Sequence, residues 1–436
     1  MIFYSTNKQS TPVSLKKATL EGLASDGGLY VPSAVPRLSS EEIELLREAP
    51  FNDIAFAIAK KFSDGEIPDS SLWEIIESCF TFKTPLIELK KNIFVEELFH
   101  GPTLAFKDYG ARFLAHLTGY FAKEDQKLIT ILVATSGDTG SAVAYGFKGV
   151  PNTRVILLYP SGKVSRLQEQ QLTTVGGNVT ALEISGDFDD CQRLVKQAFM
   201  DGELKQRLSL TSANSINISR LIPQTFYYAW GALHIALHHP GNKAVFSVPS
   251  GNYGNLTGGV VAKMMGFPIE HFVAGSNAND SVTRYLEEGR YEPRPTVATL
   301  STAMDVGNPS NFARLKHFYN EDHRAMAADI TGCSVSNQET LDTIRSVYDR
   351  FGYIADPHTA VGFRAMERFN EEHQTPRHPS VVISTAHPAK FLESIREALD
   401  MEITIPDRLQ DVLDRKKVSV PMSCDYRDFA DYLSKL

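Results

Sequence analysis

The 436-residue sequence predicts an α/β protein in which a mostly parallel sheet, or two, is flanked by helices and preceded by a mainly helical N-terminal subdomain. Two observations carry this expectation. From about residue 128 onward, β-branched apolar runs alternate with amphipathic stretches, whereas the first hundred residues show helical periodicity and few strand signals. Hydrophobic residues make up 42% of the chain and charged ones 22%, the balance of a packed globular protein and not of a disordered or fibrous one.

In chain order, Ser40–Ala49 reads as a helix behind a serine cap and Ser70–Cys79 as a second one. Leu128–Ala134 is the first clear strand, and Thr139–Phe147 is the helix that follows it. Further strands are expected at Arg154–Tyr159, Asn178–Ile184, Ala244–Val248, Phe272–Ala274 and Val381–Ser384. The stretch Gly289–Asn311 holds three prolines and two glycines, so it should be a long irregular segment of the kind that tends to be functional. Asp356–Pro357 has the form of an N-cap followed by proline at the first helical position. The resulting partition is an N-terminal subdomain over 1–95, a first α/β part over 96–240 and a second over 241–436.

A net charge of −8 argues against broad binding to nucleic acid or anionic membrane. Cys79, Cys191, Cys333 and Cys424 stand far apart, without the spacing of a disulfide framework or zinc cluster. The opening MIFYSTNKQSTPVSL lacks the pattern of a secretory leader, and no window approaches a membrane span, so a cytoplasmic location is expected. His234 and His238 lie one helical turn apart with no third ligand suggested, and no metal site is expected. The acidic pairs Glu96–Glu97 and Asp189–Asp190 read as solvated faces.

Three segments have the composition of chemistry. The turn TSGDTG at 135–140 follows a strand, and its small residues let backbone N–H groups approach an anion, with Ser136 and Thr139 as further donors. On composition alone a helix cap by Asp138 or Thr139 is the favoured reading. The turn SGNYGN at 250–255 brackets Asn252 and Tyr253 with glycines and suits either a phosphate cradle or an ordinary Gly/Asn turn. Neither turn has the spacing of a dinucleotide or P-loop motif. In FHGPTLAFKDY at 99–109, Lys107 sits among apolar residues, where desolvation would lower its pKa and favour Schiff-base chemistry. A lysine snorkelling at the start of an amphipathic helix is the alternative.

At these segments the sequence resembles the threonine synthases, pyridoxal-phosphate (PLP) enzymes of fold type II. HGPTLAFKD at 100–108, ATSGDTG at 134–140, NSINISR at 214–220, SVPSGNYGN at 247–255, AMDVGNPSN at 303–311 and TAHPAKF at 385–391 occur in the family's order. With FYST at 3–6 and DGGLYVP at 26–32, the resemblance spans essentially the whole chain and is to the longer bacterial and fungal type. It implies two open twisted sheet domains flanked by helices. It also implies that Lys107 carries PLP and shuttles protons. Gly251, Asn252, Tyr253, Gly254 and Asn255 would bind the cofactor phosphate, and Thr385 would meet the pyridine nitrogen. Ser136, Gly137, Asp138 and Thr139 would grip the substrate carboxylate, although many relatives in the wider fold group carry Asn in place of Asp138. Asn214, Ser215 and Arg220 would take the substrate phosphate, with Lys163 as a further candidate. The implied reaction converts O-phospho-L-homoserine and water to L-threonine and phosphate, in a monomer or homodimer whose two α/β domains close on the substrate. A related phospholyase releasing 2-oxobutyrate is an alternative, as is a noncatalytic homologue, although the latter would be expected to have lost Lys107.

Overall fold

Alternating strands and helices resolve into two main sheets in a computed structural model that describes residues 1–135, 137–373 and 378–436, with only the backbone at 205 and 206. The strands are β1 (Phe3–Ser5), β2 (Tyr30–Pro32), β3 (Leu86–Lys90), β4 (Ile93–Glu97), β5 (Ile129–Ala134), β6 (Thr153–Pro160) and β7 (Val179–Ile184). They continue with β8 (Ser209–Ser212), β9 (Ala244–Pro249), β10 (Ile269–Ser276), β11 (Ile330–Ser334), β12 (Ser380–Ser384) and β13 (Val420–Met422). The larger sheet has the order β11-β10-β9-β12-β4-β3 and the smaller β13-β7-β6-β5-β8, while β1 and β2 form a separate antiparallel pair. Every pairing within the two larger sheets is parallel except β3 with β4. Strands β5, β9 and β12 are buried at every residue, as parallel strands covered by helices on both faces must be.

The expected strands coincide with or fall within β5, β6, β7, β9, β10 and β12, except that β5 and β7 each begin one residue later than expected, and Gly289–Asn311 is irregular apart from a short 3-10 turn at Thr302–Met304. Asp356 caps the helix Pro357–Glu372, with Pro357 in its first turn. The helix expected over Ser40–Ala49 stops at Leu45, because none of its residues is buried and packing does not extend it. The partition of the chain differs from the sequence reading in two places. The boundary at 95/96 cuts β4, which belongs with β3 to the larger sheet, and β13 near the C-terminus joins the smaller sheet. The four cysteines are free thiols. No described helix is long and apolar enough to cross a membrane.

The Glu96–Glu97 pair is not a solvated face. Strand β4 lies between β3 and β12, so Glu96 is fully buried, and neither of its carboxyl oxygens has a hydrogen-bond partner among the described residues. Gly231 makes room for it, since a Cβ there would stand 2.5 Å from its Oε2. Burial raises the carboxyl pKa well above its ordinary 4.5, so the folded state keeps a proton that the unfolded chain releases. Stability therefore falls as pH rises above that ordinary value, by about 1.4 kcal/mol per pH unit while the folded group stays protonated. Glu96→Gln should match the wild type near pH 4.5 and become progressively more stable than it toward pH 8, as read from denaturant midpoints.

Candidate active site

The carboxyl ends of β4, β5, β9 and β12 point to one region, the crevice where open α/β sheets bind ligands. After β4 the chain turns through residues 98–106, and the turn is closed by Asp108, whose carboxylate accepts from Thr103 N–H and Thr103 Oγ1, both at 2.8 Å. Arg408 ties the same turn down from the C-terminal region by donating to the carbonyls of His100 (3.0 Å) and Gly101 (2.9 Å). Leu104 takes the left-handed conformation, φ +57°, a strain that surrounding contacts must hold in place. Ala105 then bridges antiparallel to Ala386, flanked by Phe106 N–H donating to the Thr385 carbonyl (2.9 Å) and His387 N–H donating to the Leu104 carbonyl (3.1 Å). Lys107, the first residue of the helix Lys107–Glu124, is thereby fixed beside Thr385.

At the end of β5, Thr135 Oγ1 accepts from the N–H groups of Gly137 (3.1 Å) and Gly140 (2.9 Å) and shapes the turn into the helix Asp138–Phe147. Asp138 makes an ion pair with Lys390, Oδ1 to Nζ 2.5 Å, with both side chains at most 5% exposed. Lys390 also donates to the Thr103 carbonyl at 3.0 Å. At the end of β9, Tyr253 adopts φ +58° and sends the chain into the helix Gly254–Met265. Gly251 permits close approach of the 302–304 turn, because a Cβ there would lie 2.5 Å from the Cα of Met304. Asn252 donates to Ser215 Oγ at 2.5 Å and accepts from Ser310 N–H at 2.6 Å. Arg220 lies on the lysine's helix at Gly110, donates to the Ala213 carbonyl at 2.6 Å, and leaves its Nε without a partner among the described residues.

Lys107, Gly137, Asp138, Thr139, Asn214, Ser215, Arg220, Gly251–Asn255 and Thr385 all line one cavity of about 430 Å³. Ser136 lies outside the described residues. Lys163 is exposed beyond β6 and is not part of the cavity wall, so the structure does not bring it to the others. The sequence reading did not single out Lys390, although it lies within TAHPAKF, because its carboxylate partner is distant in sequence. His358 was missed for the same reason: its Nδ1 meets Asp356 at 2.7 Å and its Nε2 accepts from Ala303 N–H at 3.1 Å on the cavity wall. A larger hollow of about 620 Å³ opens between the helices Asp69–Cys79 and Lys107–Glu124, but it contains none of the strand-end turns.

Charge in the cavity is set by enclosure. Lys107 opens only onto the cavity, and burial lowers its pKa to about 8 against the raising influence of Asp138, with Lys390 and Arg220 adding to the depression. Burial would raise the Asp138 carboxyl, but Lys390 and then Lys107 overcome it and hold it at about 2. Burial lowers Arg220 to about 10, still cationic at neutral pH. The residues fit PLP. An amine of lowered pKa, a hydroxyl at a strand end and a helix N-terminus share one cavity, and the Asn255 Nδ2 at that N-terminus is buried without a partner among the described residues.

Residues 80–386 match the family of pyridoxal-phosphate dependent enzymes, 2–80 the threonine synthase N terminus and 359–432 the threonine synthase C-terminal family. The chain is 42% identical over 435 residues to the threonine synthase of Haemophilus influenzae, covering 100% of both chains. The crystal structure of threonine synthase from Escherichia coli is similar with a TM-score of 0.89 and 40% identity over 100% of both chains. That of PLP-bound threonine synthase from Brucella melitensis gives 0.93 and 37%, over 100% of this chain and 99% of the other.

Removing one partner of a buried ion pair leaves an uncompensated charge, whereas removing both leaves none. Lys390→Met and Asp138→Asn should each cost about 3–5 kcal/mol of folding stability. The double variant should lose less than the sum, a coupling measurable by a denaturant double-mutant cycle.

Proposed function

The chain belongs to the threonine synthase family of PLP enzymes, and from that membership we propose how its own residues convert O-phospho-L-homoserine and water to L-threonine and phosphate. The observation that supports this reading is the meeting of Lys107, Thr385 and the Ser250–Asn255 turn on one cavity wall. Lys107 would hold the cofactor, Gly251–Asn255 its phosphate, and Thr385 its ring nitrogen. When bound, PLP supplies an electron sink that spreads the negative charge left on carbon after a proton is removed.

Lys107 is the base. With its pKa near 8, a useful fraction of the amine is unprotonated at neutral pH, so it would take the proton from Cα. A Cβ proton must also be lost before phosphate leaves Cγ; Cγ then gains a proton, water adds its hydroxyl at Cβ, and Lys107 would return a proton to Cα. The turn Gly137–Thr139 begins the helix Asp138–Phe147, and its N–H groups hold the substrate carboxylate. The Asp138 side chain does not take that role, because its charge is engaged by Lys390. Arg220, with Asn214 and Ser215, grips the substrate phosphate and stabilises the charge that gathers on it as it leaves Cγ. The Thr385 hydroxyl carries no charge, so it would accept or donate a hydrogen bond at the ring nitrogen without holding it protonated. Enclosure between the two sheets keeps bulk water out until one molecule adds at Cβ. We place the protein in the cytoplasm, acting as a monomer or homodimer.

Incubated with O-phospho-L-homoserine, the purified protein should release threonine and phosphate in equal amounts; 2-oxobutyrate in place of threonine would overturn the assignment. Borohydride reduction should fix the cofactor on Lys107 alone, and Lys107→Ala should be folded and inactive. Arg220→Ala removes a charge-assisted contact worth about 1.5–3 kcal/mol, so kcat/KM should drop by about 10- to 100-fold. Inorganic phosphate should inhibit that variant much less than the wild type, with ligand-free thermal stability nearly unchanged.

A further inference from the structure

Two side-chain amides stand at the first turn of the helix Gly254–Met265, each with its oxygen already engaged. Asn255 Oδ1 accepts from the hydroxyls of Tyr227 (2.7 Å) and Tyr228 (2.8 Å). Asn311 Oδ1 accepts from Nη1 of Arg314 at 2.8 Å. A guanidinium has donors only, so it fixes the orientation of the Asn311 amide: oxygen toward Arg314, nitrogen away from it. That nitrogen belongs to a residue with 0% exposure and has no hydrogen-bond partner among the described residues. It stands 3.2 Å from where a Cβ on Gly254 would be, beside the helix start itself. A buried donor in this condition is unfavourable until an acceptor arrives.

Arg314 adds an independent observation. It is also fully buried, and its remaining contacts are to the neutral carbonyls of Tyr30 (3.1 Å), Ser215 (3.2 Å) and Ile216 (2.6 Å). Among the described residues it forms no ion pair, so its positive charge is buried without a counter-ion. Burial lowers its pKa to about 9, which leaves it charged at neutral pH.

Resting on the reading that this cavity takes phosphorylated ligands, we propose that Asn311 is a further phosphate-binding residue, whose Nδ2 donates to a phosphate monoester seated at the first turn of Gly254–Met265. Arg314 is its positioning residue, fixing the amide and the Ser215–Ile216 backbone and supplying a buried positive charge behind the anion. The monoester is that of the cofactor or that of the substrate, and the two sources are separable.

The test titrates apo-protein by absorbance with PLP and with pyridoxal, which lacks the phosphate, and measures competitive inhibition by inorganic phosphate. If the cofactor phosphate is the acceptor, Asn311→Ala weakens PLP about 10- to 100-fold and leaves pyridoxal within twofold. If the substrate phosphate is the acceptor, PLP affinity holds and the inhibition constant for phosphate rises by a similar factor. Asn311→Asp keeps a partner for Arg314, so it folds, and it places a negative charge toward the anion; its loss should exceed that of the alanine variant. Equal weakening of PLP and pyridoxal, or no change in either measurement, would overturn the proposal. A wild type without preference for PLP over pyridoxal would overturn the functional reading along with it, whereas loss of preference in the variants alone isolates Asn311.

Discussion

Two backbone hydrogen bonds between residues 104–106 and 385–387, which form the bridge of Ala105 with Ala386, hold the site together. One segment leaves β4 and the other leaves β12, adjacent parallel strands of the larger sheet, so their C-terminal extensions meet naturally. The amine at 107 and the hydroxyl at 385 are set by strand register, and neither depends on a flexible loop for its place. The left-handed Leu104, the Asp108 clasp on Thr103 and the Arg408 tie all serve this alignment. A catalytic group held by a sheet has little freedom to lose when the ligand binds.

The second organising element is an imbalance of charge. Lys107, Arg220, Lys390 and Arg314 are cations enclosed at or near the cavity, and Asp138 is the carboxylate that meets one of them directly. Ligands carrying phosphate and carboxylate groups would supply the missing negative charge. The enclosure that raises the cost of these cations in the empty cavity also strengthens their hold on an anion, because little water remains to screen them.

Much of this was legible before any fold was known. The strand-end turns at 135–140 and 250–255 show small residues after apolar runs, and Lys107 has apolar neighbours. By themselves these also suit a helix cap, an ordinary turn and a snorkelling lysine, and it is the family resemblance of the segments that singles them out. What stayed hidden depends on partners distant in sequence. Lys390 has no local sign of chemistry until Asp138 faces it, and His358 none until the 302–304 turn lies on it. Glu96 reads as a surface acid because IFVEE looks like an apolar strand ending in water, and only its place between β3 and β12 reveals the burial. Strands β8, β11 and β13 are only 3–5 residues long, and pairing, more than propensity, makes them strands.

The position of β12 between β9 and β4 has a consequence for the protein's biogenesis. Strand β4 and strand β9 are synthesised early and midway, but the strand that joins them is made only at residues 380–384. Until then the larger sheet is two separate fragments on the ribosome, with open edges facing each other and no completed ligand pocket between them. In the smaller sheet β5 to β8 are contiguous in the chain and pair without such a gap, and only the edge strand β13 arrives later. The nascent protein must therefore keep an unfinished sheet from pairing with other chains during most of its synthesis, and cofactor loading becomes an event of its final moments on the ribosome or after release.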